Sequence, residues 1–392
     1  MNAPLTFLVT GADGFVAKHL ILALERMGSP VLRTTRTTTA SERADFVRRA
    51  DLIFHLAGVN RPADPADFQT GNAELTHALC NQLTADGRQP LVVLASSVQA
   101  TINNAYGRSK LDAERHIERW VREHGGGAMI CRLKNIFGKW CRPNYNSVTA
   151  TFCHNIAHDR PIEISDPARV LELVYIDDVV ATFLELAAQL VRAPKAHLGQ
   201  IRHVDVTRSF KVTLAELAHK IGRFRHSRES LIVDTFEDDF TRFLYATYLS
   251  YLAPADFTYP LLQRSDPRGS LAEFIKQPGF GQIFISRTAP GITRGNHYHE
   301  TKTEKFLVAQ GQAVIRFRPV LGGEITEHHV TGSEFTVVDI PPGYSHSIEN
   351  VGSDELVTLF WASEIFDPAR PDTHALPVLQ ASATMAVGDT KL

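Results

Sequence analysis

The strongest constraint in this chain is a strand-like run that breaks into a glycine turn and then a helix. Residues 7–20 read "FLVTGADGFVAKHL" and set Gly11, Gly14 and Ala17 at G-x-x-G-x-x-A spacing. Glycines there let the backbone come close to a pyrophosphate, which rests on the free N–H groups at the helix start. The next segments repeat the alternation. Strands are predicted at Thr6–Thr10, Val31–Thr35, Asp51–Ala57, Pro90–Ser97 and Ala128–Leu133, and helices at Phe15–Met27, Leu75–Leu83 and Tyr106–His124. The strands are apolar on both faces, which requires a parallel sheet covered on two sides. The expectation is a Rossmann-type, doubly wound α/β domain over residues 1–245. Thr213, with Glu216 three on, has the form of a capping box opening one more helix.

The texture changes after Tyr245. Residues 246–264 are rich in Tyr, Pro and Asp and read as a linker. From 265 to 375 short β-rich segments alternate with Gly/Pro turns ("QIFISRT", "KFLVAQG", "AVIRFRP", "FTVVDIPPG", "LVTLFWA"), the pattern of an all-β barrel or sandwich. Residues 376–392 are small and polar and read as a flexible tail. With 44% hydrophobic and 21% charged residues, the 392-residue chain can build more than one core. A net charge of −2 and dispersed basic residues argue against nucleic acid or an anionic membrane as partner. The four cysteines make no CxxC pair, the N-terminus lacks a charged leader, and no apolar run is long enough to span a bilayer. The expected location is the cytoplasm.

Three features carry chemistry in the first half. Where an acidic residue commonly holds the ribose 2′-OH, this chain has "VLRTTRTTTA", offering Arg33 and Arg36 instead. An arginine there suits a 2′-phosphate, so NADPH is expected. "YGRSK" sets Tyr106 and Lys110 one helical turn apart, and the ammonium is expected to lower the phenol's pKa. "LASSVQ" ends a strand with Ser96 and Ser97, whose hydroxyls could orient a carbonyl; Ser97 is preferred.

Together these motifs resemble the extended short-chain dehydrogenase/reductases over residues 5–245. The resemblance implies a catalytic set of Ser97, Tyr106 and Lys110. It implies a cofactor lining that includes Gly11, Gly14, Phe15, Val16, Leu56, Ala57 and Asn72, beside Tyr106, Lys110 and the two arginines. "KNIFGKWCRPNYNSV" stands where that family holds a sugar nucleotide, making Asn135, Arg142, Asn144, Tyr145 and Asn146 candidate substrate contacts. Many relatives have a proline where Lys134 stands.

The second half carries a different chemistry. His297 and His299 alternate onto one face of a strand, Glu304 follows a polar turn, and "PPGYSHSIEN" supplies His346. Three imidazoles and a carboxylate suit a divalent metal, Zn²⁺ first, with Fe, Mn, Ni or Co as alternatives. The spacing resembles the cupin motifs, except that Phe335 stands where the second motif has a glycine. A reductase followed by a cupin resembles the CapF-type bifunctional enzymes of capsular polysaccharide synthesis. "HLAGVNRP", "NIFGKWCRPNYNSVTATF", "GITRGNHYHETKTEKFLV" and "FDPARPDT" carry that likeness.

What it implies is a UDP-linked 2-acetamido-2,6-dideoxy-4-ulose as substrate, inverted at C3 by the cupin half. The other half then reduces it at C4 with NADPH to UDP-N-acetyl-L-talosamine, on the route to N-acetyl-L-fucosamine. A homodimer is expected. Inversion needs a base, for which Lys302 is preferred and Tyr344 is second. Two alternatives stay open: a reductase whose cupin is only a binding or dimerisation module, and a cupin dioxygenase.

Overall fold

The computed structural model describes residues 5–193 and 195–379. The chain groups into two compact units. One runs to Gly222 and resumes at Asp238–Pro254; the other takes Arg223–Glu237 and the chain from Ala255 on.

The first unit holds strands β1 (Phe7–Thr10), β2 (Val31–Thr34), β3 (Leu52–His55), β4 (Leu91–Ser97), β5 (Gly127–Leu133), β6 (Asn135–Phe137), β7 (Val170–Tyr175), β8 (Ile201–Val204) and β9 (Phe210–Thr213). Its helices are α1 (Phe15–Arg26), α2 (Ala40–Arg49), α3 (Leu75–Ala85), α4 (Ala105–His124), α5 (Val148–Ala157) and α6 (Ile176–Arg192). Helix α7 (Leu214–Ser230) crosses between the units, and α8 (Asp239–Leu249) belongs to the first.

The main sheet has the order β2-β1-β3-β4-β5-β8, and every pairing in it is parallel. Every residue of β1 and β3 is buried, as two-sided coverage by helices requires. The chain leaves β1 in both directions, so the switch point lies between β1 and β3, where an α/β sheet opens a crevice at its strand ends. A smaller sheet, β6-β7-β9, flanks it.

Two readings change here. Helix α2 follows the arginine-bearing stretch, where no helix is predicted; Thr39 and Glu42 cap it reciprocally. Helix α8 runs to Leu249, inside the stretch read as a linker. The box at Thr213 and Glu216 forms as expected, each accepting the other's backbone N–H.

The second unit is all-β. Its strands are β10 (Gln263–Asp266), β11 (Gly269–Gln277), β12 (Gly281–Thr288), β13 (Thr293–Tyr298), β14 (Glu304–Gln310), β15 (Gln312–Pro319), β16 (Thr326–Thr331), β17 (Val337–Ile340), β18 (Tyr344–Asn350), β19 (Leu356–Ala362) and β20 (His374–Ala375). They form two antiparallel sheets, β10-β11-β12-β19-β14-β17 and β16-β15-β18-β13-β20. Phe306, Val308, Ile315, Phe317, Ile340, Ile348 and Phe360 fill the space between them.

Phe335 takes a positive φ of 38°, supplying the turn that a glycine usually makes at a local strain of order 1 kcal/mol. The residues read as a tail begin in order: Leu376 and Val378 donate backbone N–H bonds to Asn296. Residues 380–392 lie outside the described residues.

Candidate active site and metal centre

The turn after β1 and the turn after β3 meet at the switch point. Gly11 has φ +67°, and a Cβ on it would fall 2.7 Å from the Ala57 Cα. Gly14 precedes α1 and caps it without a side chain, leaving its first N–H groups to other partners. Asn72 lies in a wide helical turn (Gln69–Glu74) leading into α3. Its Oδ1 accepts from the Val59 N–H at 2.9 Å, and its Nδ2 donates to the Val59 carbonyl at 3.1 Å and to Ser109 Oγ at 3.0 Å. This clamp holds the loop after β3. A Cβ on Gly58 would clash with that amide at 2.7 Å, so the close approach needs glycine.

Tyr106 and Lys110 stand on α4 against the end of β4. Neighbouring residues of β4 point to opposite faces, and this separates the two serines. Ser96 faces inward and donates to Glu114, which also accepts from Arg132 Nε at 3.0 Å and Nη2 at 2.6 Å. Ser97 stands beside the Tyr106 phenol and pulls its pKa down, and its Oγ accepts from the Gln99 N–H at 3.2 Å.

The phenol's pKa moves opposite to expectation. Burial raises it, and the Ser97 contact only partly opposes that. The Lys110 ammonium is turned away, donating to the Ala95 carbonyl at 2.7 Å. Burial lowers its own pKa to about 8 against the pull of Glu114. The phenol is therefore held protonated, the form that can give a proton.

The remaining candidates are partly engaged. Arg33 pairs with Glu25 of α1, whereas Arg36 is exposed beyond β2. Asn135 is exposed at the start of β6. The Arg142 guanidinium lies 5.0 Å over the Tyr145 ring. Asn144, at φ +52°, donates its N–H to Thr151 and its amide to Asn155. Asn146 accepts from Arg61 at 3.3 Å, which ties this segment to the loop after β3. Lys134, in place of a proline, pairs with Glu172 at 2.7 Å.

In the second unit, His297, His299, Glu304 and His346 converge, with their ligand atoms all within 4.8 Å of one another. Strand pairing produces this: His297 lies directly opposite His346 between β13 and β18, just past a bulge at Asn296 (φ +60°). His299, Glu304 and His346 are buried. The Nε2 atoms of His299 and His346 lie 3.3 and 3.5 Å from Glu304 Oε2, and neither has a hydrogen-bond partner.

Burial lowers His297 to about 4, with His346 and His299 adding to the shift. Burial alone would raise Glu304, but the two imidazoles outweigh it and bring it to about 2. Orphaned buried nitrogens around an ionised carboxylate fit a divalent cation. Lys302 is buried rather than solvated; its Nζ donates to the Pro371 carbonyl at 3.0 Å and Thr373 Oγ1 at 3.1 Å. Tyr344 is 40% exposed.

Residues 7–200 match the NAD dependent epimerase/dehydratase family, and residues 264–374 match the polysaccharide biosynthesis C-terminal domain. A UDP-2-acetamido-2,6-beta-L-arabino-hexul-4-ose reductase of Pseudomonas aeruginosa is 44% identical, with 95% of this chain and 98% of that protein covered. The crystal structure of the capsular polysaccharide assembling protein CapF from Staphylococcus aureus superposes with a TM-score of 0.85 at 43% identity, covering 95% of this chain and all of that one. The chain belongs to the CapF-type family. A UDP-glucuronic acid 4-epimerase of Bacillus cereus, at 15% identity and a TM-score of 0.52, shares only the fold, over 63% of this chain.

The sequence reading of this CapF-type chain missed a buried polar relay beneath the glycine turn. Thr10 Oγ1 accepts from the Leu56 and Ala57 N–H groups, both at 3.1 Å, and so donates to His55 Nδ1 at 2.9 Å. His55 Nε2–H then donates to Thr76 Oγ1 at 3.1 Å, and Thr76 donates to the Asn72 carbonyl at 2.8 Å. Each donor has one acceptor, which makes His55 a neutral ring of one tautomer. "His" in "FHLAG" gave no signal, because a lone histidine on an apolar strand reads as core.

Burial, reinforced by Lys110, lowers His55 to about 3. Between that value and the ordinary 6.5 the unfolded chain binds more protons, so stability rises with pH there. Wild type should lose roughly 2–3 kcal/mol more than His55→Gln between pH 6.5 and 4.5 in unfolding of the first unit. Equal pH slopes for the two proteins would contradict the neutral-ring assignment.

Proposed function

We propose that the chain acts twice on one UDP-linked sugar. It inverts C3 of a UDP-2-acetamido-2,6-dideoxy-hexos-4-ulose in the all-β unit and reduces the C4 ketone in the α/β unit, giving UDP-N-acetyl-L-talosamine on the route to N-acetyl-L-fucosamine in surface polysaccharide. The observation that carries this reading is one chain holding both a Ser97–Tyr106–Lys110 proton-donor site and a buried His297/His299/Glu304/His346 cluster. The Pseudomonas aeruginosa relative is named for reduction of a UDP-linked 4-ulose, which supports the second step. The epimerase reading adds what the second cluster is for: a C–H beside a ketone is acidic enough to exchange, and an alcohol's neighbour is not.

NADPH would supply hydride to the C4 carbon, and a divalent metal on the four ligands, Zn²⁺ by its donor set, would supply Lewis acidity toward a carbonyl oxygen. The chain's own residues do the rest. Tyr106 gives its phenolic proton to the C4 oxygen while Ser97 orients the carbonyl. Lys110, held by the Ala95 carbonyl, would offer positive charge to a bound cofactor. Asn72 and Gly58 shape the loop that borders it. In the second unit the C3 proton leaves to a base on one face and a proton returns to the other. Lys302 and Tyr344 are the candidates for that work.

We also assign the second unit a part in homodimer formation, since its sheets end in open strands such as β16 and β17. Among the described residues no helix is long and apolar enough to cross a membrane.

Product NMR in D₂O tests the pair of activities. Without reduced cofactor, deuterium should enter C3 of the 4-ulose; with NADPH, the C4 alcohol should form. NADPH should be preferred over NADH. Because Arg33 is occupied by Glu25, Arg36→Ala should raise the NADPH KM by about ten- to a hundredfold and leave NADH little changed. Reduction without any C3 exchange would leave the cupin as a binding module only. Equal use of the two cofactors would sink the Arg36 assignment.

A further inference from the structure

The stretch "FDPARPDT" has a place in the resemblance but none in the chemistry above, and the structure gives it one. The chain from Pro371 to Val378 lies along the ligand strand β13. His374 and Ala375 pair with Tyr298 and His297. Leu376 N–H donates to the Asn296 carbonyl at 2.9 Å, and Val378 N–H to Asn296 Oδ1 at 3.0 Å, so both grip the bulge residue. Arg318 Nη2 ties the far end to the Pro377 carbonyl at 2.6 Å.

Asp372 is the centre of this strap. Its carboxylate accepts from three successive N–H groups, Glu300 at 2.8 Å, Thr301 at 3.0 Å and Lys302 at 2.8 Å, and from Thr301 Oγ1 at 3.1 Å. Those donors form the turn directly after His299. Its own carbonyl oxygen lies 2.5 Å from His299 Nδ1. A carbonyl only accepts, so Nδ1 carries the hydrogen and the lone pair of a neutral ring sits on Nε2. That Nε2 is the buried atom with no hydrogen-bond partner, 3.3 Å from Glu304. Asp372 is at φ +37°, an unusual conformation for a residue with a side chain, and it places both oxygen groups on the turn at once.

We propose that Asp372 is a positioning residue for the metal centre, setting the tautomer and aim of His299 through its carbonyl and holding the ligand turn through its carboxylate. This rests on the reading of the four-residue cluster as a metal site. Partners of this kind, one step behind a ligand, set metal affinity by tens of fold when they are lost.

The test uses full-length protein, measuring Zn²⁺ affinity by competition with a chromophoric chelator and the visible spectrum of the Co²⁺ form. Asp372→Ala should bind Zn²⁺ about 10- to 100-fold more weakly, with an altered Co²⁺ band. Asp372→Asn keeps one acceptor oxygen and should recover part of that loss. If Asp372→Ala does not fold by circular dichroism, Asp372→Asn alone decides: weaker binding supports the assignment and wild-type binding rejects it. Affinity within about twofold of wild type and an unchanged Co²⁺ spectrum in Asp372→Ala, even at a lower melting temperature, would make the strap merely structural. His346→Ala is the control for the underlying reading. If it binds Zn²⁺ as tightly as wild type, the cluster is not the metal site and the Asp372 assignment falls with it.

Discussion

Tyr106→Phe should reduce C4 reduction by roughly 10²- to 10⁴-fold while C3 deuteration in D₂O continues at its normal rate. The hydroxyl is the only part removed. It is the group that Ser97 touches, and burial keeps it protonated. The ring still packs against Phe68, with centroids 5.5 Å apart, so the fold should survive. The readout is NADPH absorbance for reduction and proton NMR for exchange, on one preparation. A near-normal reduction rate would remove Tyr106 from the proton-donor role. Loss of both activities would mean that exchange depends on the first unit, against its assignment to the His/Glu cluster of the second.

His346→Ala should abolish the other half. It removes one of four converging candidate ligands from a buried position opposite His297. Metal content should fall, and C3 exchange with it by roughly a hundredfold or more, since several kcal/mol of charge stabilisation is at stake. Reduction of a 4-ulose already in the inverted configuration should persist. Full exchange in a metal-depleted His346→Ala protein would refute the epimerase reading of this unit. The same assay searches for the base. Lys302→Ala and Tyr344→Phe are compared at equal metal content. Retained exchange in both places the base elsewhere, and Lys302 then serves only to bind the strap through Pro371 and Thr373.

Much of this was open to reading because the signals are local. The glycine spacing, the i, i+4 pair on α4 and the alternating histidines depend on helix and strand periods, which neighbouring residues set by themselves. Two parallel strands buried on both faces and a β-rich second half follow from where apolar residues fall.

Other features depended on residues far apart in the chain. Whether Ser96 or Ser97 faces the phenol is a one-residue question of strand register, answered by Glu114, itself held by Arg132, capturing Ser96. The direction of the Tyr106 shift turned on burial, since Lys110 points to Ala95 instead of the phenol. Arg33 is drawn to Glu25 by the packing of α1 beside β2. His55 became a proton-ordered link only once Thr10 and Thr76 were brought to either side of it.

By itself the sequence determined the two kinds of unit, the Tyr106/Lys110 spacing and the candidate His/Glu set, because repeat periods and residue chemistry specify these over a few neighbours. Only the tertiary structure decided which serine stands beside Tyr106, which arginine pairs with Glu25, and that Asp372, 73 positions after His299, stands behind that imidazole. Such pairings are settled by which surfaces pack together, and packing is a property of the whole fold.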